Sequence, residues 1–132
     1  AIKKDSTNRE ENSVSEVLSK VGLLDRIEQR SGDLSYGHQR LLELAMGMAQ
    51  KPKLLILDEP TQGLSDSEIE NFKKLIKDIS SSTTILLIEH NMDVVMSIAD
   101  NISVLHFGEI IADGDKETIQ NDPIVQKAYL GD

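Results

Sequence analysis

The sequence has no cysteine and no tryptophan, and its 132 residues include only two phenylalanines and two tyrosines. The lack of cysteine excludes a disulfide framework and any metal site built from thiolates. Because aromatic side chains are so scarce, leucine, isoleucine and valine have to build the hydrophobic core. The 39% of hydrophobic residues is ordinary for a globular domain of this length.

An excess of basic residues and long apolar runs are also lacking. The 14 Lys and Arg residues are outnumbered by 23 Asp and Glu residues, and the formal net charge is −9. This charge argues against broad electrostatic binding to nucleic acid or anionic lipid. No apolar run approaches the ~20 residues that span a bilayer. The first twelve residues lack the apolar core of a signal peptide, so a cytoplasmic location is expected.

Apolar patterns predict alternating strands and helices. The runs "KLLILDEP" and "TTILLIEH" are typical of fully buried parallel strands that end in polar clusters. Helical periodicity follows Ser35 and Ser65, and "NISVLHFG" with "EIIADG" predicts a hairpin before two short helices, 116–120 and 124–129. The order indicates an α/β fold with a mostly parallel sheet, whose ligand site lies beyond the carboxyl ends of the strands.

The stretch "GDLSYGHQR" has two glycines, Gly32 and Gly37, spaced as in a phosphate-binding P-loop. A P-loop continues with Lys and then Ser or Thr, whereas His38 and Gln39 follow here. The stretch is therefore not a P-loop, and no other glycine pair fits. Two interpretations remain: a simple capped turn, or an anion site at a helix start that Ser35 caps.

Polar residues at the two strand ends suit phosphate chemistry. Asp58 can hold Mg²⁺ through water, and Glu59 is placed to orient or activate an attacking water. His90 ends the next strand and could contact a bound phosphate there. A simpler interpretation treats "DEP" as turn punctuation and His90 as a loop residue.

The order of these stretches resembles ABC-type ATPases. Residues 34–38, "LSYGH", resemble the Leu-Ser-Gly-Gly-Gln signature; "LLILDEP" resembles the Walker B strand, "EPTQGLSD" the D-loop, and "ILLIEH" the strand that ends on the switch His. The resemblance implies ATP and Mg²⁺ as ligands and catalytic roles for Glu59 and His90. It further implies that Asp58 holds Mg²⁺, and that the remaining motif residues contact nucleotide: Ser35, Tyr36, Gly37 and His38 of the signature, and Gly63, Leu64 and Ser65 of the D-loop.

The ending "NDPIVQKAYLGD" resembles ATP-binding subunits of branched-chain amino acid uptake systems. Related subunits for urea uptake and lipopolysaccharide export remain alternatives. The resemblance implies a peripheral subunit on the cytoplasmic face of the membrane. Such a subunit pairs with a second ATP-binding subunit, as a homodimer or heterodimer, and docks on transmembrane permease subunits.

The resemblance also implies a partial P-loop NTPase (RecA-like) fold. Residues 1–50 are expected to be part of the ABC helical subdomain with the signature helix, and residues 51–132 the C-terminal part of the ATPase core. The P-loop strand, the adenine-stacking aromatic residue and the Q-loop Gln are not found. We therefore expect the C-terminal half of an importer subunit, inactive by itself and prone to self-association at an open sheet edge. A non-transport ABC ATPase fragment and a non-catalytic interaction module remain alternatives.

Overall fold

The computed structural model describes residues 13–130. The chain forms two compact units, the first ending at Glu89 and the second beginning at His90. The elements of the first unit are helix α1 (residues 13–20), 3-10 turns at Leu24–Arg26 and Ser31–Asp33, helix α2 (Tyr36–Ala49), strand β1 (Leu54–Asp58), helix α3 (Asp66–Ser80) and strand β2 (Thr84–Ile88).

Side-chain caps fix where the two long helices begin. Ser35 accepts a hydrogen bond from the backbone N–H of His38 and starts α2. Ser65 and Glu68 form a complete capping box at the start of α3, in which each side chain bonds the backbone N–H of the other residue. Such caps satisfy N–H groups that have no partner within the helix. Both predicted helix starts are confirmed.

Strands β1 and β2 pair in parallel, with Leu54 opposite Thr84 and Asp58 opposite Ile88. One face of this pair is half-buried: Leu55 and Leu57 line a cavity together with Leu44 of α2 and Phe72 of α3. The buried side chains of the two helices are Leu44, Ala45, Phe72, Leu75, Ile76 and Ile79. The core of the first unit therefore lies on one side of the strands.

The opposite face of β1 and β2 is exposed, so the prediction of two fully buried strands is wrong for this chain. Four aliphatic side chains on that face are about half exposed: Leu54 51%, Ile56 57%, Leu86 50% and Ile88 48%. A continuous apolar run predicts burial on both faces because parallel sheets usually carry helices on both sides. Among residues 13–89, the helices cover only one face of the strands.

The second unit begins with helix α4 (Met92–Ile98) and continues with strands β3 (Ile102–His106) and β4 (Glu109–Gly114). Helices α5 (Lys116–Gln120) and α6 (Pro123–Val125) follow, and a π-helical turn covers Gln126–Leu130. Strands β3 and β4 pair antiparallel, which confirms the predicted hairpin. The buried core cluster of this unit is Ile102, Val104, Ile119 and Val125.

The hairpin turn places two consecutive residues in the left-handed region, Phe107 at φ 47° and Gly108 at φ 83°. Two positive φ values are the mark of a type I′ turn, whose twist matches that of the flanking strands. Glycine adopts this conformation freely, whereas the Cβ of Phe107 is crowded there.

The predicted α/β class is confirmed, with a parallel pair and an antiparallel pair of strands in the described part of the chain. No helix within residues 13–130 has both the length and the apolar character needed to cross a membrane.

Candidate functional site

The end of β1 carries the two acidic residues that the sequence singled out. Asp58 is the last residue of the strand and is exposed, and Glu59 follows it, half-buried. The backbone N–H of Glu59 donates to the carbonyl of Ile88 at 2.8 Å, which extends the parallel pairing one residue past the strand. Glu59 has φ 46°, a left-handed conformation that is uncommon for a residue with a side chain.

The residues after Glu59 are tied to the end of β2 by a side chain that the sequence analysis missed. The carboxylate oxygen Oε1 of Glu89 accepts two hydrogen bonds from Thr61, one from the backbone N–H at 3.0 Å and one from the hydroxyl at 2.5 Å. Thr61 is buried, with 5% of its surface exposed. The only signal in the sequence is that Glu89 directly follows an apolar strand run, as Glu59 does.

The signature residues begin α2 and form a defined turn. The His38 N–H donates to the Ser35 hydroxyl at 3.3 Å, and Gly37 is buried. The side-chain amide of Gln39 donates to the carbonyls of Ser31 and Leu34 at 3.3 and 3.2 Å, which fixes the loop before the helix. The helix start thus combines a positive dipole end with an ordered approach, the usual surroundings of a bound anion.

Tyr36 lies on the exposed side of this helix start and contacts Arg40, one turn further along the helix. Its hydroxyl accepts hydrogen bonds from the Nε and Nη2 atoms of Arg40 at 3.1 and 2.8 Å. The guanidinium carbon of Arg40 lies 5.2 Å from the Tyr36 ring centroid, within cation–π range. Arg40 also pairs with Glu43 at 2.8 Å, so three side chains hold one another on this face.

The signature and D-loop residues pack against each other within the first unit. The ring of Tyr36 covers Gly63, where an added Cβ would lie 2.9 Å from the ring carbon Cε1. The carboxylate of Glu68 lies against Gly37, where an added Cβ would overlap its atoms Oε1 and Cδ. Two glycines therefore permit the close approach of the motifs, and the sequence analysis anticipated neither contact.

The Glu68 carboxylate adds negative charge beside the α2 N-terminus. The backbone N–H of Ser65 and then its hydroxyl donate to this carboxylate and lower its pKa below the ordinary value, and the charge of His38 adds to the effect. Glu68 therefore stays ionised to a lower pH than an ordinary glutamate does. A carboxylate at this position is favoured by the helix dipole.

Within residues 13–130, no group of three or more acidic, His or Cys side chains could hold a metal ion. Mg²⁺ is usually held by one or two carboxylates together with waters and the phosphates of a nucleotide. The exposed carboxylate of Asp58 fits that kind of site. It fits a metal that arrives with a nucleotide and does not provide a preformed cage.

The structure divides the predicted site residues between the two units. The signature residues, the D-loop residues, Asp58 and Glu59 all belong to the first unit, where Tyr36 and Gly37 meet Gly63 and Glu68. His90 directly follows Glu89, begins the second unit and is exposed; the side chain of its neighbour Asn91 caps α4.

Two family models match this sequence. Residues 2–62 match the model described as ABC transporter. Residues 109–132 match the model described as branched-chain amino acid ATP-binding cassette transporter. The chain belongs to the ABC transporter family of ATP-binding proteins. This membership confirms the resemblance drawn from the four motifs and from the final residues.

Curated ABC proteins of this branch are close in sequence. The chain is 44% identical over 117 residues to LivG of Escherichia coli (strain K12), and 45% identical over 117 residues to BraF of Pseudomonas aeruginosa. Both are named high-affinity branched-chain amino acid transport ATP-binding proteins. Each match covers 87% of this chain and 46% of the relative, so the chain spans about half the length of these relatives.

A solved ABC structure has the same fold. The ADP conformation of MJ1267, an ATP-binding cassette of an ABC transporter, matches with a TM-score of 0.81 and 28% identity. The match covers 92% of this chain and 50% of that chain. The predicted partial P-loop NTPase fold is thereby confirmed, and family membership implies nucleotide binding. The roles of individual residues in ABC chemistry stay predictions.

Proposed function

We propose that this chain is the part of an ABC importer ATP-binding subunit that carries the signature, Walker B, D-loop and switch-His motifs. The observation that carries the proposal is the packing of Tyr36 and Gly37 on Gly63 and Glu68, which joins signature and D-loop on one surface beside a helix N-terminus. The positive end of such a helix attracts a nucleotide phosphate, with which the Glu68 carboxylate beside Gly37 would compete. We assign residues 1–50 to the helical subdomain and residues 51–132 to the ATPase core; residues 1–12 and 131–132 of these ranges lie outside the described part of the chain.

The strand ends supply the hydrolytic side of the proposed site. Asp58 would hold Mg²⁺ through water, and the bound metal would neutralise charge on the phosphates. Glu59 orients the attacking water and accepts its proton, and His90 contacts the terminal phosphate. The hydrogen bond from the Glu59 N–H to the Ile88 carbonyl fixes the Glu59 backbone, and so the point from which its side chain extends, relative to both strands.

The signature side of the proposed site serves a second subunit. Ser35, Tyr36, Gly37 and His38 face the ATP that the partner subunit holds, and Gly63, Leu64 and Ser65 contact the same site. Binding energy is then released only when two subunits close on ATP, which couples nucleotide binding to a two-state movement. Transmembrane permease subunits take up this movement, and the assembly works at the cytoplasmic face of the membrane.

The proposed cargo is a branched-chain amino acid. The support is the match of residues 109–132 to the branched-chain amino acid model and the names of LivG and BraF. The chain itself is expected not to hydrolyse ATP, because no Gly-x4-Gly-Lys-Ser/Thr stretch occurs in its sequence. We also expect self-association, which light scattering at increasing concentration measures; a strictly monomeric chain would contradict this expectation.

A chimera tests the function directly. Residues 13–130 replace the corresponding half of Escherichia coli LivG, and the product is expressed in a strain that lacks LivG. We expect restored uptake of leucine and ATP hydrolysis by the purified chimera. Glu59→Gln should lower kcat by about 100-fold or more, as loss of a general base does, while ATP binding persists.

The matched control is Glu109→Gln, which changes an exposed carboxylate of the hairpin and should leave kcat unchanged. A folded chimera that binds ATP and never hydrolyses it would favour a non-catalytic module. ATP hydrolysis without uptake would favour a non-transport ATPase.

A further inference from the structure

We infer that Glu89 and Thr61 are a positioning pair that holds Glu59 and the D-loop in place for ATP hydrolysis. The inference rests on the proposed function. It concerns a carboxylate to which the motif comparison assigns no role, and a threonine two residues after the proposed catalytic Glu59. The two residues are 28 positions apart in sequence and meet through hydrogen bonds at the ends of β1 and β2.

The backbone conformation of Glu59 is unfavourable, so contacts with other residues have to stabilise it. At φ 46° its backbone lies in the left-handed region, which residues with a side chain avoid unless their surroundings enforce it. A turn follows directly: the N–H of Gln62 donates to the Glu59 carbonyl at 3.2 Å, and the N–H of Leu64 donates to the Thr61 carbonyl at 3.2 Å. Thr61 thus lies inside the turn that keeps Glu59 in this conformation.

Glu89 anchors that turn to β2. One oxygen of its carboxylate accepts both donors of Thr61, the N–H at 3.0 Å and the hydroxyl at 2.5 Å. Because Thr61 is only 5% exposed, water replaces these hydrogen bonds poorly when the carboxylate is removed. The backbone bond from Glu59 to Ile88 and the side-chain bonds from Thr61 to Glu89 therefore attach two points of the turn to the last residue of β2 and to the residue that follows it.

The pair acts on the reaction through geometry. A water-orienting carboxylate must be held close to its productive position, and a displacement of about 1 Å can cost about 100-fold in rate. Glu89 acts here as a hydrogen-bond acceptor, so its charge is not required. A positioning role therefore tolerates a neutral acceptor at position 89, whereas a role as a second base does not.

The first measurement uses the 132-residue chain and does not depend on ATP. Amide hydrogen exchange by NMR reports the N–H groups of Thr61 and Glu59. We expect Glu89→Ala to speed exchange at both amides and Glu89→Gln to leave both protected, because the glutamine oxygen still accepts the two hydrogen bonds. The amide of Ile69, bonded to the Ser65 carbonyl at 2.9 Å, is the internal reference. Unchanged exchange at Thr61 and Glu59 in Glu89→Ala would overturn the inference.

The second measurement uses the LivG chimera. We expect Glu89→Ala to lower kcat by about 100-fold with little change in KM, and Glu89→Gln to restore most of the rate. Thr61→Val keeps the N–H and loses the hydroxyl, so its kcat should lie between those of Glu89→Ala and Glu89→Gln. Glu28→Ala, a change of an exposed carboxylate far along the chain from both strands, should match the wild type.

The outcomes separate the two proposals. An inactive wild-type chimera contradicts the proposed function, while the exchange of Thr61 and Glu59 still decides whether Glu89 holds the turn. An active chimera in which Glu89→Gln is as slow as Glu89→Ala shows that the charge is needed and overturns the positioning role.

Discussion

The carboxylate of Glu68 lies directly against Gly37, so closely that a methyl group on the Gly37 Cα would overlap its Oε1 atom. Gly37 belongs to the signature turn at the start of α2, and Glu68 belongs to the capping box at the start of α3. The glycine of the signature is therefore required by a contact within this chain. An ABC nucleotide site that uses the same glycine adds a second requirement.

The contact between Gly37 and Glu68 predicts that the effect of Gly37→Ala on stability depends on the residue at position 68. Gly37→Ala should displace the Glu68 carboxylate and lower the melting temperature, because the side chain has to leave the Ser65 N–H. In a Glu68→Ala background the contact is gone, and Gly37→Ala should instead stabilise the chain by about 0.5 kcal/mol through lower backbone entropy of the unfolded state. Thermal melts of the wild type, the two single variants and the double variant measure the coupling between residues 37 and 68. Equal effects in both backgrounds would show that residues 37 and 68 do not interact.

Replacing Gly63 by alanine should destabilise the folded chain more than the same substitution at Gly37. The φ of 78° at Gly63 disfavours any side chain, and the Tyr36 ring would lie 2.9 Å from an added Cβ. Gly63→Ala should lower the free energy of unfolding by about 1–2 kcal/mol. Gly32→Ala is the matched control, because no atom lies within 4 Å of a Cβ added there, and it should be nearly neutral. Urea unfolding compares the two, and similar values would refute the prediction.

The capping box predicts an acid-dependent part of the stability. Hydrogen bonds from Ser65 lower the pKa of Glu68 in the folded chain below its ordinary value of 4.5. A depressed folded pKa means that the stabilisation is complete above the ordinary value and is lost as pH falls through the folded pKa. The stability difference between the wild type and Glu68→Gln should therefore shrink as pH falls below 4.5.

Glutamine is the informative replacement because it also serves in capping boxes and differs chiefly in being unable to ionise. Glu28→Gln, at an exposed position outside the helices, is the control and should track the wild type throughout. A wild-type advantage that persists unchanged well below pH 4 would contradict this assignment.

The hairpin of the second unit predicts a stabilising substitution. Phe107 is 95% exposed and has φ 47°, so it buries little apolar surface beyond an edge contact with the His106 ring and adopts a conformation that disfavours its Cβ. Phe107→Asn gives the Asn-Gly pair that type I′ turns prefer and should stabilise the chain by about 1 kcal/mol. Phe107→Ala, which removes the ring and keeps the strain, should be close to neutral. A destabilised Asn variant would show that the aromatic ring contributes to packing.

Local elements of this ABC fold were predictable because their causes are local. Ser35 and Ser65 mark helix starts through hydrogen bonds that span three residues, and the apolar periodicity behind them identifies the helices. The hairpin of β3 and β4 was predictable from two adjacent apolar runs, 101–108 and 109–114; the structure ends β3 at His106 and places the turn at Phe107 and Gly108. The motif order identified the family, and the family models and relatives agree.

Burial of the strands was predictable only in part. The apolar runs correctly located β1 and β2, but they predicted cover on both faces, whereas Leu54, Ile56, Leu86 and Ile88 are about half exposed. A sequence pattern reports which side chains favour burial, and the elements available to cover them decide whether burial occurs.

By itself, the sequence determined the positions of the helices and strands, the absence of a P-loop and the membership of the ABC family. These properties depend on neighbouring residues and on motif spacing. Only the tertiary structure decided that Glu68 lies against Gly37, that Tyr36 covers Gly63 and that Glu89 binds Thr61. Each of these contacts joins residues that are distant in sequence. Their side chains meet because helices α2 and α3 and strands β1 and β2 pack in one particular arrangement, which local periodicity does not encode.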